Sequence, residues 1–187
     1  PNNRQSSSFG DGMYKSTDGG KTFAPSGLRE TQSIARVIVH PRDPNTVRVA
    51  ISCGGMWVTK DNGQTWAQSA HGMSYDMGPK EERFNPDTQD PHMMVQCAAD
   101  PDKMWVQHHC GIFKSVNSGV KWTEVKAKPS SFGFGVVVHP KDANTAWFVP
   151  GIKDEKRIPV DGALVVTRTR DGGKTFKSLK KGLPQKH

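Results

Sequence analysis

Residues able to do chemistry concentrate in three places along the sequence. The stretch from His71 to His92 holds Tyr75, Asp76, Glu81, Glu82, Arg83, Asp87, Asp90 and His92. The run His108-His109-Cys110 follows, and Lys153-Asp154-Glu155-Lys156-Arg157 comes later. Carboxylates beside imidazoles and a phenol are the residue types that move protons in hydrolytic chemistry. Tyr75, Glu81, Glu82, Asp90 and His108 are therefore the candidate catalytic groups. Arginine grips carboxylates through paired N–H bonds, so Arg29, Arg83 and Arg157, with His92 and His109, are the candidate substrate-binding groups. Two metal chemistries are open. Cys53, His92, His108, His109 and Cys110 offer imidazole and thiolate to a soft metal such as zinc or copper. Adjacent histidines at a strand end point to opposite faces, so one of His108 and His109 joins a given site. Glu30, Asp76, Asp87 and Asp90 offer the hard oxygens that calcium takes, without the spacing of an EF-hand loop.

The elements that must position these groups are strands. In 187 residues there are 17 Val but 4 Leu, alongside 19 Gly and 13 Pro. This sheet-and-turn composition excludes a helical bundle. Fifteen aromatic residues argue against disorder despite a mean hydropathy of −0.66. No run approaches the roughly 20 apolar residues of a membrane-spanning helix. The three cysteines lack C-x-x-C spacing, which argues against a disulfide scaffold or a zinc ribbon. The net charge of +8 fits an anionic partner. Its lysines are dense only near the C-terminus (Lys174, Lys177, Lys180, Lys181, Lys186), and no nucleotide or nucleic-acid motif is present. Nucleic acid is thus not the expected partner.

Two interleaved repeats define the strands. Ser16-Thr17-Asp18-Gly19-Gly20-Lys21-Thr22-Phe23 returns at Thr59 to Trp66 and at Thr169 to Phe176, with a worn copy from Ser115 to Trp122. Between these boxes, Val37-Ile38-Val39-His40-Pro41-Arg42-Asp43-Pro44-Asn45-Thr46 returns as Val136 to Thr145, with a weaker copy from Val95 to Lys103. In the second repeat an apolar run breaks at a Pro/Asp/Asn turn and another run follows, which is a hairpin signal. Each unit thus reads as four strands, A to D, with the A–B turn at the Pro/Asp/Asn motif and the C–D turn at the box. Four-stranded units recurring at about 40–55 residues are the blades of a β-propeller. Phe23, Trp66, Trp122 and Phe176, which close the boxes, are expected to be buried between blades.

The S-x-D-x-G-x-T-F/W box resembles the Asp-box, or BNR repeat, of sialidases and related propellers. The opening Asn3 to Gly12 resembles the propeller start of sortilin-like BNR proteins, and Trp105 to Pro184 resembles bacterial sialidase-like glycosyl hydrolases. The resemblance implies an all-β, partial β-propeller of about three and a half antiparallel blades. The expected units are a half-blade at 12–27 and blades near 34–70, 92–127 and 134–183, together one propeller domain or propeller fragment over 1–187. It implies a secreted or periplasmic hydrolase acting on carbohydrate, although no signal peptide is present in this sequence. In a sialidase-type site arginines hold the substrate carboxylate, a Tyr activated by a Glu is the nucleophile and an Asp is the acid/base, roles that fall here to Arg29, Arg83, Arg157, Tyr75, Glu81 or Glu82, and Asp76 or Asp90. Alternatives on the same scaffold are a calcium-dependent lactonase or esterase-type hydrolase and a non-catalytic glycan- or protein-binding propeller. Blade edges left open invite self-association.

Propeller topology sorts the candidates. The A–B and C–D turns share one face, so His40, Asp43, His139, Asp142 and the box aspartates are expected to serve turns. The B–C turns and D-to-A links share the opposite face. That face holds Tyr75 to His92, Cys53, His108 to Cys110, Lys153 to Asp161, and Arg29, Glu30 and Gln32.

Overall fold

The computed structural model describes residues 10–31 and 33–186. Most of the sortilin-like opening motif and Gln32 therefore lie outside the described residues. Among the described residues, fifteen strands and three single 3-10 turns (80–82, 86–88 and 160–162) make up the regular structure. Among the described residues no helix is long and apolar enough to cross a membrane.

The strands form one ribbon and three blades. β1 (Tyr14–Lys15) and β2 (Ala24–Pro25) pair alone around the first box. β3 (Ile34–His40), β4 (Asp43–Ile51), β5 (Gly55–Thr59) and β6 (Ala67–Gln68) form an antiparallel sheet in that order. β7 (Pro91–Gln96), β8 (Met104–His108), β9 (Gly111–Ser115) and β10 (Thr123–Val125) repeat it. The third blade runs β11 (Gly133–His139), β12 (Asp142–Lys153), β14 (Val166–Thr169) and β15 (Lys177–Leu179), with β13 (Lys156–Pro159) added to the far end of β12. The chain is an all-β partial propeller, as the repeats predict.

Local chemistry repeats with the sequence. In the A–B turns, Asn45 N–H donates to Asp43 Oδ1 at 3.1 Å and Asn144 N–H to Asp142 Oδ1 at 3.0 Å. His40 Nδ1 accepts from Arg42 N–H at 3.3 Å, and His139 Nδ1 from Lys141 N–H at 3.1 Å. These two histidines thus close turns. In the boxes, Asp61 Oδ1 accepts from Thr59 Oγ1 at 2.7 Å and Thr65 N–H at 2.9 Å, and Asp18 and Asp171 make the same contacts. Asn117 keeps the bond from the Lys121 N–H at 3.0 Å. Each full blade's box bonds back to its A–B turn, through Asn62 N–H to Asn45 O, Ser118 N–H to Asp102 O and Gly172 N–H to Asn144 O at 2.9–3.0 Å. The box turns and the A–B turns therefore share one face.

These hydrogen bonds make the boxes acid-sensitive. The threonine hydroxyls, and then the backbone N–H groups, hold the Asp18 and Asp171 carboxyls far below the usual range and Asp61 at about 2. A carboxyl lowered on folding contributes stability above its unfolded pKa of about 3.9, and that contribution is lost as pH falls through the folded value. Urea midpoints measured at pH 5, 4 and 3 are expected to drop mainly below pH 4. The drop should be smaller in Asp61→Asn, and equal drops in the two proteins would count against the box carboxylates.

The core lies between blades rather than within them. Ala50, Met56, Met73, Met94, Val106, Phe113 and Trp122 fill the space between the first and second blades. Trp105, Ile112, Val136, Ala146 and Phe148 fill the next, with Phe176 packed on them. The box aromatics differ in burial. Trp122 is 1% exposed and Phe23 is 63% exposed, while Trp66 and Phe176 are half-buried. The reason is stacking order: a box aromatic packs against the preceding unit. Trp122 Nε1 donates to Ser69 O at 2.7 Å and Trp66 Nε1 to Ser26 O at 2.9 Å. Among the described residues no blade precedes Phe23.

The links follow the aromatics closely enough to require glycine. At Gly72 (φ 90°) a Cβ would sit 2.4 Å from Trp122 O, and at Gly27 (φ 86°) 2.5 Å from Trp66 Nε1.

Candidate functional site

On the face opposite the boxes, three blades meet at one polar cluster. Asp90, next to β7, is 1% exposed. Its Oδ1 accepts from Ser52 Oγ at 2.6 Å and from Cys53 N–H at 3.1 Å, both on the B–C turn of the first blade. Its backbone carbonyl accepts from His109 N–H at 2.9 Å, on the B–C turn of the second blade. The remaining oxygen, Oδ2, lies 3.3 Å from His109 Nδ1 and 4.0 Å from His92 Nε2.

His92, on β7, reaches the third blade. Its Nδ1 donates to Gly133 O at 2.8 Å, which places the proton of a neutral ring on Nδ1 and the lone pair on Nε2. That Nε2 is 3.3 Å from His109 Nδ1. The His92 ring stacks on Phe134, with centroids 4.5 Å apart at 11°, and Phe132 meets His92 and His109 edge-on. His109 Nε2 points the other way, to Asp154 Oδ2 at 3.6 Å.

Asp154 arrives there because β12 does not stop at the normal blade length. The expanded B–C turn read from the sequence is an added hairpin, with Gly151 opposite Pro159 and Lys153 opposite Lys156. Arg157 closes its tip by pairing with the Asp154 side chain, and its Nε donates to Asp154 O at 3.1 Å. The Arg157 guanidinium also lies 5.2 Å over the Phe134 ring. Phe134 is 44% exposed and the Arg157 side chain 58% exposed. A ring and a cation thus border a cluster whose carboxylates and imidazoles are largely enclosed.

His108 is placed beneath this cluster. It is fully buried, and both ring nitrogens face backbone N–H groups: Asp90 at 2.9 Å from Nε2 and Cys110 at 3.1 Å from Nδ1. Burial pushes its pKa down to about 3, so it stays neutral and supports the turn that aims His109. Tyr75 packs edge-on against His108 and His109, with centroids 6.4 and 6.0 Å away.

The long link is folded on itself. Tyr75 N–H donates to Arg83 O at 2.8 Å, and buried Gln89 bonds the carbonyls of Arg83 and Asn85. Glu81 and Glu82 stand exposed on the 3-10 turn, with Glu82 paired to the Asn85 side-chain amide. Arg83 pairs with Asp76 at 2.5 Å on the surface. Arg29 and Glu30 lie exposed on the first link.

Of the sequence-derived candidates, the structure brings Tyr75, Asp90, His92, His108, His109 and Arg157 together. Arg29, Glu81, Glu82 and Arg83 stand elsewhere on the surface. The four carboxylates of the calcium reading occupy separate settings: Asp76 on Arg83, Asp87 on Gln68 Nε2 at 2.7 Å, Asp90 among histidines, and Glu30 on the first link. Among the thiols of the soft-metal reading, Cys110 accepts from Asp76 N–H at 3.2 Å, and burial pushes its pKa up. Sequence reasoning did not single out Phe132 and Phe134. Their signal is the spacing of two aromatics around Gly133 at a strand start, which puts both on one face.

Interleaved hairpins, box turns and inter-blade cores define a BNR-type, Asp-box β-propeller. More narrowly, the profile of the Sortilin-Vps10 family (Sortilin, neurotensin receptor 3) matches residues 11–181, and the chain belongs to that family. No curated protein sequence matches it significantly. Among solved structures, an ancestral GH74 enzyme superposes with a TM-score of 0.70 at 17% identity, covering 95% of this chain and 24% of that one. The GH74 enzyme of Niastella koreensis gives 0.65 at 19% identity, covering 90% and 26%. YCF48 from Cyanidioschyzon merolae gives 0.53 at 18% identity, covering 80% and 40%. The chain thus spans about a quarter of the length of the GH74 structures it resembles, and the likeness is one of fold.

Proposed function

We propose that the chain carries the reaction centre of a propeller hydrolase acting on an anionic carbohydrate, built from Asp90, His92, His109 and Asp154. The observation that carries this reading is the convergence of two carboxylates and two imidazoles from the second and third blades beside an exposed aromatic ring. Phe134, stacked on His92 with Arg157 over its ring, leaves exposed apolar surface against which a sugar can pack, and Arg157 offers a charge-assisted grip on a carboxylate. The GH74 neighbours are glycoside hydrolases on the same scaffold, which supports the reading by analogy of fold. The chemistry differs from the two-carboxylate pattern of most glycosidases. The His109 ring occupies the space between Asp90 and Asp154, where a glycosidic bond would have to lie. Ester and lactone bonds therefore belong in the test beside glycosides.

The test is a screen of the purified chain against chromogenic uronides, sialosides, neutral glycosides, esters and lactones. Turnover is expected to fall by at least about 100-fold in His109→Ala and Asp154→Asn. Unchanged turnover in both folded variants would remove the assignment. A second reading, a non-catalytic binding propeller, is favoured by membership of the Sortilin-Vps10 family. It predicts no turnover on any substrate, with binding to anionic glycans lost in Arg157→Ala.

A further inference from the structure

We propose that Asp90, His92 and His109 form a site for one divalent transition-metal ion, of which zinc is the representative. The three donor atoms, Asp90 Oδ2, His92 Nε2 and His109 Nδ1, lie within 4.8 Å of one another. Their separations are 3.3, 3.3 and 4.0 Å. Ligands at about 2.0–2.1 Å from a tetrahedral zinc stand about 3.3–3.4 Å apart, so two edges already match and the third needs a small closure.

The second atom of each ligand is occupied in the way metal ligands require. His92 Nδ1 is spent on Gly133 O at 2.8 Å, which leaves Nε2 as the donor. Asp90 Oδ1 accepts from Ser52 Oγ and Cys53 N–H, and Oδ2 is the oxygen turned toward His109 and His92. His109 Nε2 is buried, makes no hydrogen bond and lies 3.6 Å from Asp154 Oδ2. A proton on Nε2 would face that carboxylate, as in a carboxylate–histidine–metal triad, and Nδ1 would be the donor. In that protonation state a carboxylate oxygen and two nitrogen lone pairs converge on one point, which a cation satisfies.

Donor type sets the metal class. Two imidazoles and one carboxylate suit zinc and its first-row neighbours, whereas calcium and magnesium take oxygen ligands. Side-chain exposures of 2%, 7% and 10% for Asp90, His92 and His109 shield the site from bulk water. Three protein ligands leave a position for water, whose acidity a bound metal raises. The inference deepens the hydrolytic reading and rests on it for its purpose. Its test reads metal binding alone.

Metal-stripped full chain is titrated with zinc and, separately, cobalt(II), with calorimetric stoichiometry, melting temperature and the cobalt absorption spectrum as readouts. The expected result is one ion per chain, a raised melting temperature and imidazole coordination of the bound cobalt. Asp154→Asn should weaken binding by about 10–100-fold, and His92→Ala and His109→Ala by more. His71→Ala, on the exposed link, should bind as the parent does. The competing arrangement is a proton on His109 Nδ1 directed at Asp90 Oδ2, which removes the Nδ1 lone pair and predicts no stoichiometric zinc. Absence of binding by the folded parent chain overturns the proposal. So does undiminished binding in folded His92→Ala and His109→Ala, or stabilisation by calcium in place of zinc. If those variants do not fold, cobalt bound to the parent chain without imidazole coordination overturns it. Zinc binding without turnover would uphold the site and remove the hydrolytic reading.

Discussion

Trp122→Ala is expected to destabilise the fold by about 3–5 kcal/mol, the range for deleting a large aromatic from a closed core. The Trp122 ring is 1% exposed and belongs to the core between the first two blades. Its Nε1–H satisfies Ser69 O at 2.7 Å, and its backbone N–H donates to His71 O at 2.8 Å. Truncation empties the pocket and leaves a buried carbonyl unpaired, so transfer, cavity and hydrogen-bond costs add. Phe23→Ala is the internal comparison. It occupies the equivalent box position but is 63% exposed, and should cost less than about 1 kcal/mol. Urea titrations with equal slopes for the three proteins measure both values. Similar losses for Trp122→Ala and Phe23→Ala would refute the stacking-order account.

Removal of the Asp90 carboxylate should come close in size. Asp90→Ala leaves Ser52 Oγ and Cys53 N–H without their acceptor and strips His109 of its partner. Orphaned donors cost about 1–3 kcal/mol each, so a loss on the order of 3 kcal/mol is expected. Glu81→Ala, on the exposed 3-10 turn, should stay within about 0.5 kcal/mol. Denaturant midpoints decide this as well. A loss below about 1 kcal/mol for Asp90→Ala would mean that the carboxylate does not join the first blade to the second.

Both predictions rest on features that differ in how far the sequence displays them. The boxes are legible because their chemistry is local. Asp61 bonds Thr59 and Thr65, partners within four residues, so residue type and spacing suffice to specify the turn. His40 and His139 are legible for the same reason, each closing a turn two residues away. Burial of the closing aromatics is not local. It depends on whether a blade precedes the box, and Phe23 and Trp122 carry the same motif position with opposite exposure.

The candidate site divides in the same way. Sequence placed Asp90, His92 and His109 on one face, because strand order fixes which turns are neighbours. It also placed Glu81, Arg83 and Arg29 on that face, and could not tell them from the cluster, because long-link positions depend on how the link folds. Gln89 holds the link through the Arg83 and Asn85 carbonyls, which leaves Glu81 and Glu82 in solvent.

The sequence by itself determined the blade repeat, the strand order, the turn chemistry and the face on which reactive groups gather. Each of these follows from contacts a few residues apart or from period-two alternation. Only the tertiary structure decided that His92, His109 and Asp90 point at one another and that Asp154 is lifted beside His109. Those contacts join residues 17 to 45 positions apart, within the second blade for Asp90, His92 and His109 and between blades for His109 and Asp154, and their geometry is set by strand pairing together with the packing of blade on blade.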